Sequence, residues 1–166
     1  MVHASPVAYS STTAEASVPT PDIYEQIHKA EAGLANCLDT KNWDNLHNFM
    51  TQDVVYDNSA FGPGKGAVST GLDQVITNTK NAFGDSMVSH SVTTALINFY
   101  NATSAHVITY LIFSKWDPTS LTDGNKTYRV YEKCDDNFVL DQGLWKLKYS
   151  KVTDMAPKFE QPYFGQ

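Results

Sequence analysis

The chain has 166 residues, 42% hydrophobic and 18% charged, with a formal net charge of −6 at pH 7. That balance excludes a disordered chain, and the length suffices for one domain with a core of its own. The acidic charge, with no cluster of Lys or Arg, leaves no electrostatic footprint for nucleic acid or an anionic membrane surface, and no apolar run has the length of a membrane-spanning helix.

Residues 1–19, rich in Ser, Thr, Ala and Pro, read as a flexible arm, without the basic start and continuous apolar run of a signal peptide. Thr20-Pro21-Asp22 is a helix start, with Thr20 as the N-cap. Ile23, Ile27, Ala30, Leu34 and Leu38 then recur at helical spacing, and the helix is expected to stop near Asp39-Thr40-Lys41. Trp43, Leu46, Phe49 and Met50 mark a second, shorter helix, and Asp53-Val54-Val55-Tyr56-Asp57 a strand. The run Phe61-Gly62-Pro63-Gly64-Lys65-Gly66 is loop. Thr70 caps a third helix with Leu72, Val75, Ile76, Thr79 and Phe83 inward and Gly84 just past its end.

From Met87 the period changes to two, and four β segments follow at about 87–100, 105–116, 126–140 and 144–152. Short breaks between them predict an antiparallel meander. Residues 155–166 form an aromatic tail with Phe159, Tyr163 and Phe164. The expected fold is therefore α+β in a single domain over 20–154. A curved antiparallel sheet wraps around the N-terminal helices and leaves a cone with one open mouth, the default ligand site.

Residues 32–58 set polar side chains, Asp39, Asp57 and Asn58, inside otherwise apolar elements. Buried polar groups without partners cost on the order of a few kcal/mol each, so a chain that keeps several uses them on a ligand. His90, within Val88-Ser89-His90-Ser91-Val92, is a candidate proton donor or acceptor at working pH, against a plain hydrogen-bonded histidine. Asp39 sits at a helix C-terminus, where a carboxylate opposes the macrodipole; it either orients His90 or bonds its own turn. Glu132 shares a face with Tyr128, Val130 and Cys134. If that face lines the cavity, Glu132 is a carboxyl in an apolar pocket, usable as acid or base; otherwise Arg129, Tyr131 and Lys133 point inward.

Tyr110 shares a face with Ile112, Ser114 and Trp116, which would bring a hydroxyl for a developing oxyanion, a second small hydroxyl and an indole wall; the alternative is a plain core strand. Asp57 and Asn58 either handle a proton or cap the turn before Gly62. Tyr56 and Tyr128 are expected substrate contacts, each an apolar body with a polar tip. His28 and His47 read as solvated, and His106 has no implied partner. Cys37 and Cys134 read as free buried thiols of a reducing, cytoplasmic setting. No His/Cys/Asp set has metal-ligand spacing, and no phosphate loop or nucleophile elbow occurs, so no metal or cofactor is expected.

The Leu38-Asp39-Thr40-Lys41-Asn42-Trp43 turn, the Asp53–Asp57 strand, Thr70-Gly71-Leu72, Ser89-His90-Ser91-Val92 and Gly143-Leu144-Trp145-Lys146-Leu147 occur in an order that resembles the nuclear-transport-factor-2-like superfamily, and within it the SnoaL-like polyketide cyclases and scytalone dehydratases. The resemblance covers about residues 21–152 and implies the cone fold and a homodimer through the outer sheet face. Asp39 matches the dehydratases' catalytic aspartate and His90 is similar to their first histidine. Their tyrosine before the aspartate is Leu38 here, their strand-one tyrosine falls on Asn58, and their second histidine falls near Asp117. Asp57 resembles the general base of the ketosteroid isomerases.

These residues together lead to an expected cofactor-independent enzyme that isomerises, cyclises or dehydrates an apolar oxygenated small molecule, and the resemblance implies a tailoring step in secondary metabolism. The alternatives are a non-catalytic binding or interaction module of the same fold and an epoxide hydrolase, which would depend on Arg129, the only arginine in the chain.

Overall fold

The computed structural model describes residues 22–62, 66–120 and 122–154. The expected N-terminal arm, the Thr20 cap, the centre of the glycine loop and the aromatic tail lie outside them.

Helix α1 spans Ile23–Asp39, with Asp22 as its N-cap accepting from Glu25 N at 2.9 Å. The stripe anticipated from the sequence faces the core: Ile27, Ala30 and Leu38 are buried, and Ile23 and Leu34 pack against them. Glu31 is buried in the same stripe. Lys41 in the left-handed region (φ 56°) turns the chain away, Asn42 N bonds Cys37 O at 2.8 Å, and Lys41 Nζ ties the turn to Gly84 O at 2.6 Å.

The expected second helix is instead a 3₁₀ segment, Trp43–Asn48. Its asparagines give the reason. Asn48 Nδ2 donates to Asn45 Oδ1 at 2.6 Å, and Asn45 Nδ2 reaches Cys37 Sγ at 3.5 Å. Side chains bonding locally in this way compete with an α-helical ladder, and six residues are too few to restore it.

Strand β1 (Met50–Asp57) is followed by a 3₁₀ turn (Ser59–Phe61), the short β2 (Val68–Thr70) and helix α2 (Leu72–Phe83). Thr70 is not the cap of α2. It pairs with Val55 in β2, and Gly71, at φ 86°, takes the N-cap position that a side chain would strain. Gly84 closes the helix at φ 52°, the left-handed ending that its position anticipates.

The four long strands are β3 (Met87–Asn101), β4 (Ser104–Trp116), β5 (Thr127–Asp141) and β6 (Leu144–Asp154). Together with β1 and β2 they form one six-stranded sheet in the order β2-β1-β6-β5-β4-β3. The meander β3 to β6 is antiparallel, but β1 runs parallel to β6, joined through a register shift between Met50 and Val55. Further shifts in β3, at Val92/Thr94 and Phe99/Asn101, bend the sheet so that it curves over α1 without closing. Phe138, Leu147, Val107 and Ala105 on the concave face meet Ile27 and Leu46 to form the core.

Gly33 on α1 faces the Phe49 ring so closely that an added Cβ would lie 2.2 Å from Cε1. Phe49 packs on the core, so the ring cannot simply swing away. Gly33→Ala, although favourable for helix propensity, is therefore expected to destabilise the protein by about 1–3 kcal/mol in urea unfolding.

Candidate active site

Two elements far apart in sequence meet at the end of α1. Asp39, the last helical residue, accepts the His90 backbone N–H on both carboxylate oxygens at 3.0 Å and the ring Nδ1 on Oδ1 at 2.6 Å. These bonds from β3 offset the unfavourable position of a carboxylate at a helix C-terminus. An ionised carboxylate is acceptor-only, so Nδ1 carries the proton and Nε2 is left as the acceptor. His90 is 11% exposed, packed between Phe83 and Phe113 at ring-centroid distances of 6.0 and 5.0 Å.

His90 lines two adjoining spaces. The outer chamber has a volume of about 1010 Å³, and Asn58, Phe83, Phe113, Tyr128 and Glu132 are among the residues that line it. A second, inner pocket of about 50 Å³ lies deeper, against Glu31, Thr109, Cys134, Asp136 and Ser150. Leu38, Tyr56 and His90 border both and form the neck.

Tyr56 stays a phenol there, because burial, reinforced by Cys134, Glu132 and Asp136, pushes it well above its ordinary value. Glu132 is 8% exposed on the cavity face of β5, the face that period two assigns to Tyr128, Val130 and Cys134. Asn58 lines the outer chamber while its Oδ1 accepts Ala67 N at 2.7 Å, and Tyr128 packs edge-on against Phe113.

Other expected site residues lie elsewhere. Tyr110, Ser114 and Trp116 are on the opposite face of β4 from the cavity. The reason is register: His90 pairs with Phe113 and Glu132 with Leu111, so Thr109, Leu111 and Phe113 share the concave side. Tyr110 is 38% exposed, and Ser114 accepts from Arg129 Nε at 3.2 Å on the convex side. Asp57 also stays outside the cavity. It caps a turn, accepting Ser59 Oγ at 2.6 Å and Ser59 N at 2.9 Å, which holds its carboxyl below the usual range. Asp117, by contrast, lines the outer chamber while its Oδ1 accepts Thr119 N at 2.9 Å and Thr119 Oγ1 at 2.7 Å. His106 does have a partner, Asp135 Oδ1 at 2.8 Å.

Sequence reasoning missed the inner carboxyls. Burial, against the hydrogen bond from Ser150, pushes Asp136 up to about 8, with Glu31 and Asp135 adding repulsion. Burial also raises Glu31, although Thr109 donates to its Oε1 and His28 Nδ1 approaches Oε2 at 3.3 Å. The signals were present. Asp136 continues the alternate series that contains Glu132 and Cys134, and Glu31 interrupts the apolar stripe of α1 one turn after Ile27. Cys37 and Cys134 are free and buried. Among the described residues, no group of three or more His, Cys, Asp or Glu is placed to hold a metal ion, and no helix is long and apolar enough to cross a membrane.

A bent sheet closing a chamber over an N-terminal helix, with a histidine–aspartate pair at its neck, defines the class as a small α+β cone protein. Residues 21–151 match the SnoaL-like domain, and the chain belongs to that family. The fold recurs in solved structures. The Kfla4162 protein from Kribbella flavida superposes with a TM-score of 0.71 at 20% identity, over 80% of this chain and 90% of that one. A candidate scytalone dehydratase from Novosphingobium aromaticivorans gives 0.64 at 19% identity, over 80% and 84%. LinA gives 0.67 at 14% identity, over 86% and 93%. At these identities the likeness is one of fold. Among curated proteins, none matches the sequence.

Proposed function

We propose that the protein is a cofactor-independent acid–base enzyme that isomerises, cyclises or dehydrates an apolar oxygenated small molecule. The Asp39–His90 pair at the neck of the chamber carries this reading. With Nδ1 held by Asp39, Nε2 of His90 is set to take a proton from a carbon next to a carbonyl. Asp39 positions the ring and stabilises the imidazolium that forms, without itself being protonated. The Tyr56 hydroxyl, at the same neck and firmly protonated, takes the oxyanion-holding role that the sequence suggested for Tyr110. Glu132, on the chamber wall, is the group that returns or relays the proton, and Asn58 and Tyr128 contact the bulk of the substrate.

The family match supports the reading, and related folds include the hexachlorocyclohexane dehydrochlorinase LinA type 2 and the candidate scytalone dehydratase. A tailoring step in secondary metabolism is the context implied by resemblance to the SnoaL-like cyclases. A homodimer is proposed through the convex face, where Leu96, Tyr110 and Tyr131 are exposed. The two buried free thiols fit a cytoplasmic setting. Epoxide hydrolysis is disfavoured because Arg129, on which it depends, bonds Ser114 on the convex side.

The test is proton exchange. In heavy water, a panel of cyclic β-hydroxy ketones is expected to show protein-dependent deuterium uptake beside the carbonyl, followed by NMR, and the uptake should vanish in His90→Gln. A purely binding module would perturb ligand signals with no exchange on any member.

A further inference from the structure

The acid–base chemistry at the neck leaves the inner pocket without a use. Asp136 and Glu31 there are 7% and 6% exposed. Oδ1 of Asp136 has no hydrogen-bond partner among the described residues. Oε2 of Glu31 has only the 3.3 Å approach of His28, without an aligned hydrogen bond. Two buried acceptors left incomplete are costly, and the cost is recovered only when something enters that can bond them. The remaining wall is apolar, with Leu34, Leu111 and Phe138.

At about 50 Å³ the pocket holds a few non-hydrogen atoms, and it shares Leu38, Tyr56 and His90 with the wall of the chamber of about 1010 Å³. A molecule whose bulk fills the outer chamber can therefore place only its end in the inner pocket, with the atoms just behind that end beside His90.

The geometry points to a recognition subsite in which Asp136 and Glu31 bind a hydroxyl group at the inner end of an apolar substrate. A hydroxyl both donates and accepts. Asp136, held protonated near neutrality by burial and with its other oxygen bonded by Ser150, offers an O–H at Oδ1, and Glu31 Oε2 offers an acceptor. A methyl group satisfies none of these, and an ammonium can only donate. The inference deepens the acid–base reading and rests on it for the meaning of substrate, but the preference itself is an equilibrium property of the pocket and needs no turnover.

The experiment compares three probes of one shape, para-propylphenol, para-propyltoluene and protonated para-propylbenzylamine, by ligand-observed NMR titration of the full chain. The phenol is expected to bind at least about tenfold more tightly than the toluene, and this ratio should fall below about threefold in Asp136→Val or in Glu31→Leu. The binding ratio needs no turnover and deuterium exchange needs no ratio, so failed hydroxyl recognition and failed acid–base chemistry are read separately. Equal binding of phenol and toluene, tighter binding of the benzylammonium than of the phenol, or an unchanged ratio in a folded variant each overturns the inference. The wild-type comparison keeps it falsifiable if neither variant folds.

Discussion

Asp39→Asn is expected to lower turnover by about 10²–10⁴-fold with little change in KM, on whichever ketone shows exchange. The carboxylate forces the proton onto Nδ1 of His90, 2.6 Å away. An amide has both a donor and an acceptor end. Once its NH₂ faces the ring, Nδ1 becomes the acceptor, Nε2 carries the proton, and the nitrogen facing the chamber can no longer act as a base. On the proposed reading His90→Gln removes the base and should fall at least as far, and the two losses should not add if the residues act as a unit. ¹⁵N NMR of the imidazole reads the tautomer directly, independently of any substrate. Turnover within about threefold of wild type in Asp39→Asn, with the ring seen in the Nε2–H form, would remove His90 from the reaction.

The second large effect is on stability. Asp136 titrates near 3.8 when unfolded and at about 8 in the folded protein. Between those values the folded state keeps a proton that the unfolded chain has released. Stability from this group is therefore greatest below about pH 4, declines as pH rises, and levels off above about pH 8. The decline is on the order of 5 kcal/mol over the whole window, the free-energy equivalent of that separation. Glu31, also raised by burial, adds a contribution of the same sign. Asp57, held low by Ser59, acts in the opposite sense and only in acid. Asp136→Asn, which has no proton to lose, should flatten the pH dependence. In urea unfolding it is expected to gain on wild type by several kcal/mol at about pH 8.5 relative to about pH 5. Parallel pH profiles for the two proteins would show that Asp136 ionises normally in the fold.

Much of the architecture was legible in the chain because it is written in local periods. The helical spacing of Ile23, Ile27, Ala30, Leu34 and Leu38, and the change to period two at Met87, locate α1 and the long strands to within a few residues. On β5 the same alternation separates a face with Tyr128, Val130, Glu132 and Cys134 from one with Arg129, Tyr131 and Lys133, and the structure buries Val130, Glu132 and Cys134. Where local signals competed, the reading went astray. Trp43–Asn48 has helical spacing, but its asparagines bond to one another and draw it into a 3₁₀ turn. Thr70 is a good cap by composition, yet it is held in β2 opposite Val55.

By itself, the sequence determined the order of elements, the α+β class and the polar residues worth suspecting, because each depends on neighbours a few positions away. Only the tertiary structure decided which of those residues meet. On β4 both alternations are apolar, Tyr110 and Ile112 on one side, Leu111 and Phe113 on the other, so nothing local says which side faces α1. That is settled by the pairing of His90 with Phe113 across β3 and β4. Glu31 and Asp136 become two walls of one pocket because the sheet bends over the helix, and that curvature belongs to pairings between distant strands, which no short window of residues contains.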